Sequence, residues 1–213
     1  MLLRLAFLVA TFTLTALVAL PAAADDKGGY IGIGTAQTTA DLGLADIDDG
    51  SLSGAFDDED SGFRVFGGYR FGRVLGLELS YSDLGAVAFD GMSDGSQSLN
   101  DGYSAGPVTA NVETQLLSVS LTAGVPLGKL VSIYGKAGMH VWAADGSLTE
   151  SFGEFDLDDF DLAESGTGAV YGAGVEVRPA PKFGLRLEWE VAQDAAVGEA
   201  DIETVGLSAA FRF

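Results

Sequence analysis

The stretch Leu185-Arg186-Leu187-Glu188-Trp189-Glu190-Val191 decides the fold. Its apolar residues fall on odd positions and its charges on even ones, a strict period of two. Wound as a helix, the same residues would put Leu185, Glu188 and Trp189 on one face and mix grease with charge. As a strand they separate into one apolar and one ionic face.

The same parity recurs in eight segments, at about 29–37, 62–71, 75–84, 114–125, 131–143, 167–178, 183–193 and 202–213. Each is close to the roughly 9–11 residues that a tilted strand needs to cross a bilayer. One face carries Val65, Tyr69, Leu77, Leu79, Leu117, Val119, Leu121, Ile133, Met139, Val141, Val175, Val177, Leu185, Leu187, Val205 and Leu207. The other carries Gly68, Gly76, Ser80, Ser118, Ser120, Thr122, Gly138, Gly172, Gly174, Gly184, Gly206 and Ser208, with charges of both signs. A soluble barrel would show this alternation inverted, so alternation alone leaves the inside open. The small residues choose. A water-facing surface has no reason to prefer glycine and serine, whereas the lumen of an eight-stranded barrel is only just wide enough to be filled by side chains. Aromatics toward strand ends, Phe71, Tyr81, Phe183, Trp189, Phe211 and Phe213, suit interfacial girdles. In hydrocarbon every backbone polar group must be paired within the protein, so the sheet is expected to close. The expected fold class is all-β, an eight-stranded antiparallel up-and-down transmembrane β-barrel.

Charge is distributed to match. The chain has 31 acidic and 11 basic residues and a formal net charge of −20, yet its mean hydropathy is positive. Four segments, about 38–61, 85–113, 145–166 and 194–201, are rich in Asp, Gly and Ser and contain no Lys or Arg. They alternate with three tight connections, Phe71-Gly72-Arg73-Val74, Pro126-Leu127-Gly128-Lys129 and Pro179-Ala180-Pro181-Lys182, where Gly and Pro mark turns. Long acidic loops at one end and short turns at the other are the layout of outer-membrane barrels. So acidic a chain is not expected to bind nucleic acid. Without cysteine it has no disulfide and no thiolate chemistry.

The amino-terminal end reads as an export signal. Met1-Leu2-Leu3-Arg4 is a basic start, residues 5–20 are almost wholly apolar, and Pro21-Ala22-Ala23-Ala24 supplies small residues for cleavage before Asp25-Asp26. That apolar run is 16 residues long, shorter than the roughly 20 of a spanning helix. The expected division is a cleaved signal peptide, 1–24, and an outer-membrane barrel domain, 25–213. At the other end, Leu207-Ser208-Ala209-Ala210-Phe211-Arg212-Phe213 alternates to a terminal aromatic, as expected of a strand that closes a barrel.

The chain resembles the OmpA-like, opacity-type family of small outer-membrane barrels. The resemblance is carried by Gly67-Gly68-Tyr69-Arg70-Phe71, by the run Leu75-Gly76-Leu77-Glu78-Leu79-Ser80-Tyr81, by Ile133-Tyr134-Gly135-Lys136-Ala137-Gly138 with Val141-Trp142, by Gly174-Val175-Glu176-Val177, by Leu185-Arg186-Leu187-Glu188-Trp189 and by Phe213. It implies an outer-membrane structural or surface protein, embedded among lipid and lipopolysaccharide. It also implies folding by the barrel-assembly machinery, which reads the terminal strand with Phe211 and Phe213. Many relatives append a peptidoglycan-binding domain. Nothing of that kind follows Phe213 in this sequence, so cell-wall anchoring is not implied.

Inside the lumen, Arg64, Glu78, Lys136, Glu176, Arg186, Glu188 and Glu190 share the inward parity. Unpaired charges in a narrow, dry site are costly, so these are expected to interlock. The resemblance adds a second reading, a switchable plug; a filled, impermeable core is the expectation preferred here. His140, the one histidine, has inward parity but lacks a serine two residues on, where Trp142 stands. Packing, not catalysis, is expected of it. No enzyme, cofactor or resident metal is expected. The acidic clusters Asp46-Ile47-Asp48-Asp49-Gly50 and Asp156-Leu157-Asp158-Asp159-Phe160-Asp161 lack EF-hand spacing, which leaves divalent-cation binding an argument from composition. Phe152, Phe155 and Phe160 in the third loop suit either surface contacts or packing on the barrel rim. The expected function is envelope integrity or surface interaction, with a loop-mediated adhesin or a small low-conductance channel as alternatives.

Overall fold

A computed structural model describes residues 27–40, 47–48, 52–57, 59–94, 105–152, 155–156, 160–196 and 200–213. The expected signal peptide lies outside these residues, as does most of the Asp46–Gly50 cluster and half of the Asp156–Asp161 cluster; the side chains of Phe152, Phe155 and Phe160 also lie outside the description.

Eight long strands form the wall: β1 (Gly28–Ala40), β2 (Glu59–Arg70), β3 (Leu75–Ser93), β4 (Gly106–Leu127), β5 (Val131–Phe152), β6 (Phe160–Ala180), β7 (Phe183–Ala196) and β8 (Ala200–Arg212). Each pairs antiparallel with its sequence neighbour. The cylinder closes where β1 pairs with β8, from Tyr30 opposite Arg212 to Ala40 opposite Ile202. Closure leaves the wall without a free edge, which hydrocarbon demands.

The faces are those the parity implies. Met139 is 70% exposed, Leu121 65% and Ile33 61%, whereas Glu176 is fully buried and Arg186 and Lys136 are 3% and 4% exposed. That inverts a soluble domain, and an acyl-chain environment accounts for it. Aromatics gather in two outward groups. Tyr69 and Phe71 pack with ring centroids 5.6 Å apart near the turns, while Phe63–Tyr81 and Tyr171–Trp189 pack at 6.1 Å toward the loops. Phe183 faces Phe211 across β7 and β8. One outward acid, Glu203, accepts a hydrogen bond from the Trp189 indole. Val191 shares the apolar parity but is only 8% exposed, standing between its cross-strand neighbours Tyr171 and Glu203.

The long connections depart from the expectation of irregular loops. β3 and β4 continue as a paired ribbon to Ser93 opposite Gly106, and β5 pairs β6 to Leu148 opposite Phe160. A 22-residue strand spans about 70 Å at about 3.3 Å per residue, far beyond an apolar band about 25 Å tall. Residues Leu52–Asp57 add a further strand beside the β3 extension, with Phe56 opposite Phe89. The physical reason is that Ala86-Val87-Ala88-Phe89 and Val108-Thr109-Ala110-Asn111-Val112 keep β-forming, alternating residues among the acids. A bulge between Asp83 and Ala86 marks the start of the β3–β4 extension. Gly85 takes φ of 80° there, and its N–H donates to Asp83 Oδ1 at 3.2 Å. A side chain at such a φ is strained, so glycine fits the kink.

Candidate functional site

Inward parity delivers side chains to the lumen in tiers. At mid-height Glu188 is the hub. It accepts from Tyr134 at 2.5 Å and from Lys136 Nζ at 2.5 Å, and it pairs with Arg64. Glu190 takes the other hand of Arg64 at 3.1 Å and also pairs with Lys136. Glu78 accepts from Arg186 at 2.7 Å and from the Tyr30 hydroxyl at 2.9 Å, with Arg64 at 3.6 Å. Arg64 also donates to Ser80, whose hydroxyl meets Ser118 at 2.7 Å. Nearer the turns, Glu176 holds Arg70 at 2.7 Å on one oxygen and Arg212 on the other, with Arg186 at 3.7 Å. The seven charges expected to interlock are thus linked in one chain of ion pairs, with Glu176 joined through Arg186. Arg70 and Arg212 join them; Arg212 follows the same even parity but was not picked out from the sequence.

An aromatic tier was also missed. Tyr30, Phe66 and Tyr134 surround the Arg186 guanidinium, at 4.7, 4.8 and 5.4 Å from its carbon to the ring centroids. Cation–π attraction supplements the carboxylates in this tier. Each ring lies over a glycine directly across the ladder: Tyr30 over Gly68, Phe66 over Gly32, Tyr134 over Gly174 and, higher up, Trp142 over Gly166. A Cβ at Gly32 would stand 2.2 Å from the Phe66 ring, and one at Gly68 2.3 Å from Tyr30. The inner-face glycines therefore do more than suit a narrow bore. They are the floor on which neighbouring rings lie flat.

Above the ions, Leu84, Leu116, Trp142, Ala144, Ala192, Ala195 and Ile202 form an apolar cluster toward the loops. His140 lies below it, 2% exposed, with Nε2 2.8 Å from the Gln193 carbonyl oxygen. An interior void bounded by Gly34, Arg64, Glu78, Glu190, Thr204 and Ser208 measures about 20 Å³, room for about one water. Ions, rings and grease together fill the bore. Such an arrangement suits obstruction and rigidity. Among the described residues no group of three or more His, Cys, Asp or Glu could hold a metal ion.

Of the aromatics expected at the interfaces, Phe71, Phe183, Trp189 and Phe211 are 52%, 40%, 39% and 48% exposed on the outer face, and Tyr81 packs against Phe63 with the two rings tilted. Phe213 donates its N–H to the Gly29 carbonyl at 3.1 Å, and its ring covers Gly29.

Residues 10–213 match the family described as outer membrane protein beta-barrel domain. Outer membrane protein A of Shigella flexneri is 26% identical over 175 residues, covering 81% of this chain and 44% of that protein. The chain thus spans less than half the length of the curated relative it matches. Solved structures that share the fold include the following two. OprG of Pseudomonas aeruginosa has a TM-score of 0.55 at 14% identity, covering 89% of this chain and 98% of that one. Ail, the attachment invasion locus protein of Yersinia pestis, has a TM-score of 0.52 at 22% identity, covering 88% and 99%.

Proposed function

The chain belongs to the outer membrane protein beta-barrel domain family, and from that premise we propose that it is a non-conducting envelope protein whose plugged barrel holds stiff acidic hairpins above the outer membrane. The observation that carries this reading is the filled bore. The ions centred on Glu188, the rings around Arg186 and the cluster around Trp142 are stacked along one axis, and charges so paired have no reason to part for a passing solute. The paired ribbons beyond the wall support a role in surface contact or in the cohesion of the lipopolysaccharide layer. Assembly by the barrel-assembly machinery through Phe211 and Phe213, divalent cations bridging the acidic hairpins to lipid phosphates, and a cleaved signal over residues 1–24 belong to the same proposal. The test is planar-bilayer recording of refolded protein. Silence, or rare small openings, is the expected result. Stable large conductances would overturn the reading in favour of a channel.

A further inference from the structure

Charge balance along the lumen singles out one tier. At mid-height Arg64, Lys136 and Arg186 face Glu78, Glu188 and Glu190, three against three. At the turn-side mouth three arginines, Arg70, Arg178 and Arg212, stand against one lumenal carboxylate, Glu176, which pairs with Arg70 and Arg212. Both Glu176 oxygens are taken by Arg70 and Arg212, and Arg178 forms no ion pair among the described residues. The Nε atoms of Arg178 and Arg212 are buried and have no hydrogen-bond partner there. Backbone bonds fix where these arginines sit. The N–H of Arg178 donates to Leu130 O at 2.7 Å and that of Arg212 to Lys182 O at 2.9 Å, tying both to turns that also carry Lys129 and Lys182. Two positive charges in excess, with oriented donors left over, call for a dianion.

We propose that the turn-side mouth of the lumen is a phosphate site, in which Arg178 and Arg212 bind a phosphate group that Arg70 and Glu176 hold in place. Guanidinium forks match phosphate oxygens in pairs, and the Glu176 clamp presets two of the three arginines. Either an anionic phospholipid headgroup from the leaflet around the turns or a soluble phosphate supplies that chemistry. The site rests on the closed barrel described above and on the plugged lumen proposed for it.

The experiment follows the arginine Nε–H signals of ¹⁵N-labelled protein, refolded in an uncharged detergent without phosphate buffer. One arm adds inorganic phosphate and the other short-chain phosphatidylglycerol. Sodium chloride at matched ionic strength and short-chain phosphatidylcholine are the controls. Saturable shifts at Arg178 and Arg212, with Arg64 unmoved, are expected in at least one arm. The phosphate arm alone identifies a soluble anion, and the lipid arm alone a headgroup. Arg178→Gln is expected to weaken binding about tenfold or more. The proposal falls if folded wild-type protein gives no saturable shift, if chloride moves the signals as far, or if the variant binds as tightly. Loss of heat-modifiable migration would count against the barrel instead.

Discussion

Glu188 shows how much of the lumen hangs on single side chains. Its carboxylate serves Arg64, Lys136 and Tyr134 at once. Glu188→Gln keeps the shape and removes the charge, leaving Arg64 and Lys136 to lean on Glu190 and, for Arg64, on Glu78 at 3.6 Å. Breaking a buried pair typically costs about 3–5 kcal/mol, because the surviving charge stays desolvated. Urea unfolding in lipid vesicles is expected to show a loss of that order. Glu203→Gln, which alters only the exposed contact with Trp189, is expected to change stability by less than about 1 kcal/mol. Equal losses in the two variants would mean that the lumenal network contributes no more than a surface contact. Parity made these charges legible, since Arg186, Glu188 and Glu190 alternate with Leu185, Leu187 and Trp189. The rings around Arg186 were not legible. That Tyr30 lies across from Gly68, or Tyr134 from Gly174, depends on register between strands tens of residues apart. Glycine on the inner face was the one visible half of each pair.

At the scale of the element, wall and hairpin are separate pieces of engineering on the same strands. Below the Asp83–Ala86 bulge, β3 alternates between acyl chains and a packed lumen. Above it, the strand continues as a ribbon paired to β4 and to Leu52–Asp57. The extension was hidden in the sequence by composition: Asp, Gly and Ser read as loop, while the alternating Ala, Val, Phe and Thr between them kept the ladder going. The tight connections, by contrast, stood out, although the expected Pro126–Lys129 turn starts two residues later, with Pro126 and Leu127 still paired in β4 and Gly128 at φ of 82°, where other residues strain. If the wall carries the stability, a short turn in place of residues 88–110 will leave a protein that still refolds and still migrates heat-modifiably, with an unfolding midpoint close to that of the full chain. A chain that no longer folds would show that the ribbon nucleates the barrel instead of riding on it.

Over the whole molecule the charges form an axis. Every Lys or Arg beyond residue 26 and outside the mid-lumen (Lys27, Arg70, Arg73, Lys129, Arg178, Lys182 and Arg212) belongs to the turn end, whereas the described acids Asp83, Asp90, Glu113, Asp145 and Glu164 lie toward the other. The first and last strands of the wall meet at the turn end too, along the β1–β8 seam. That seam joins the first strand made to the last, so it is the pairing with the largest loop to close and the one expected to form late. Its lowest contacts are supplied by the final two residues. Arg212 reaches Glu176 across β7, and Phe213 donates to Gly29 and lays its ring over that glycine. Phe213→Ala removes the ring and keeps the backbone bond. In the purified protein, where every other strand pair is intact, it is expected to lower stability by about 1–3 kcal/mol, the order of one partly buried aromatic. If the terminal strand is also read by an assembly factor, as proposed, the heat-modifiable outer-membrane fraction in cells will fall several-fold more than that stability loss accounts for. Parallel losses in the two measurements would make Phe213 a packing residue of the seam and nothing more.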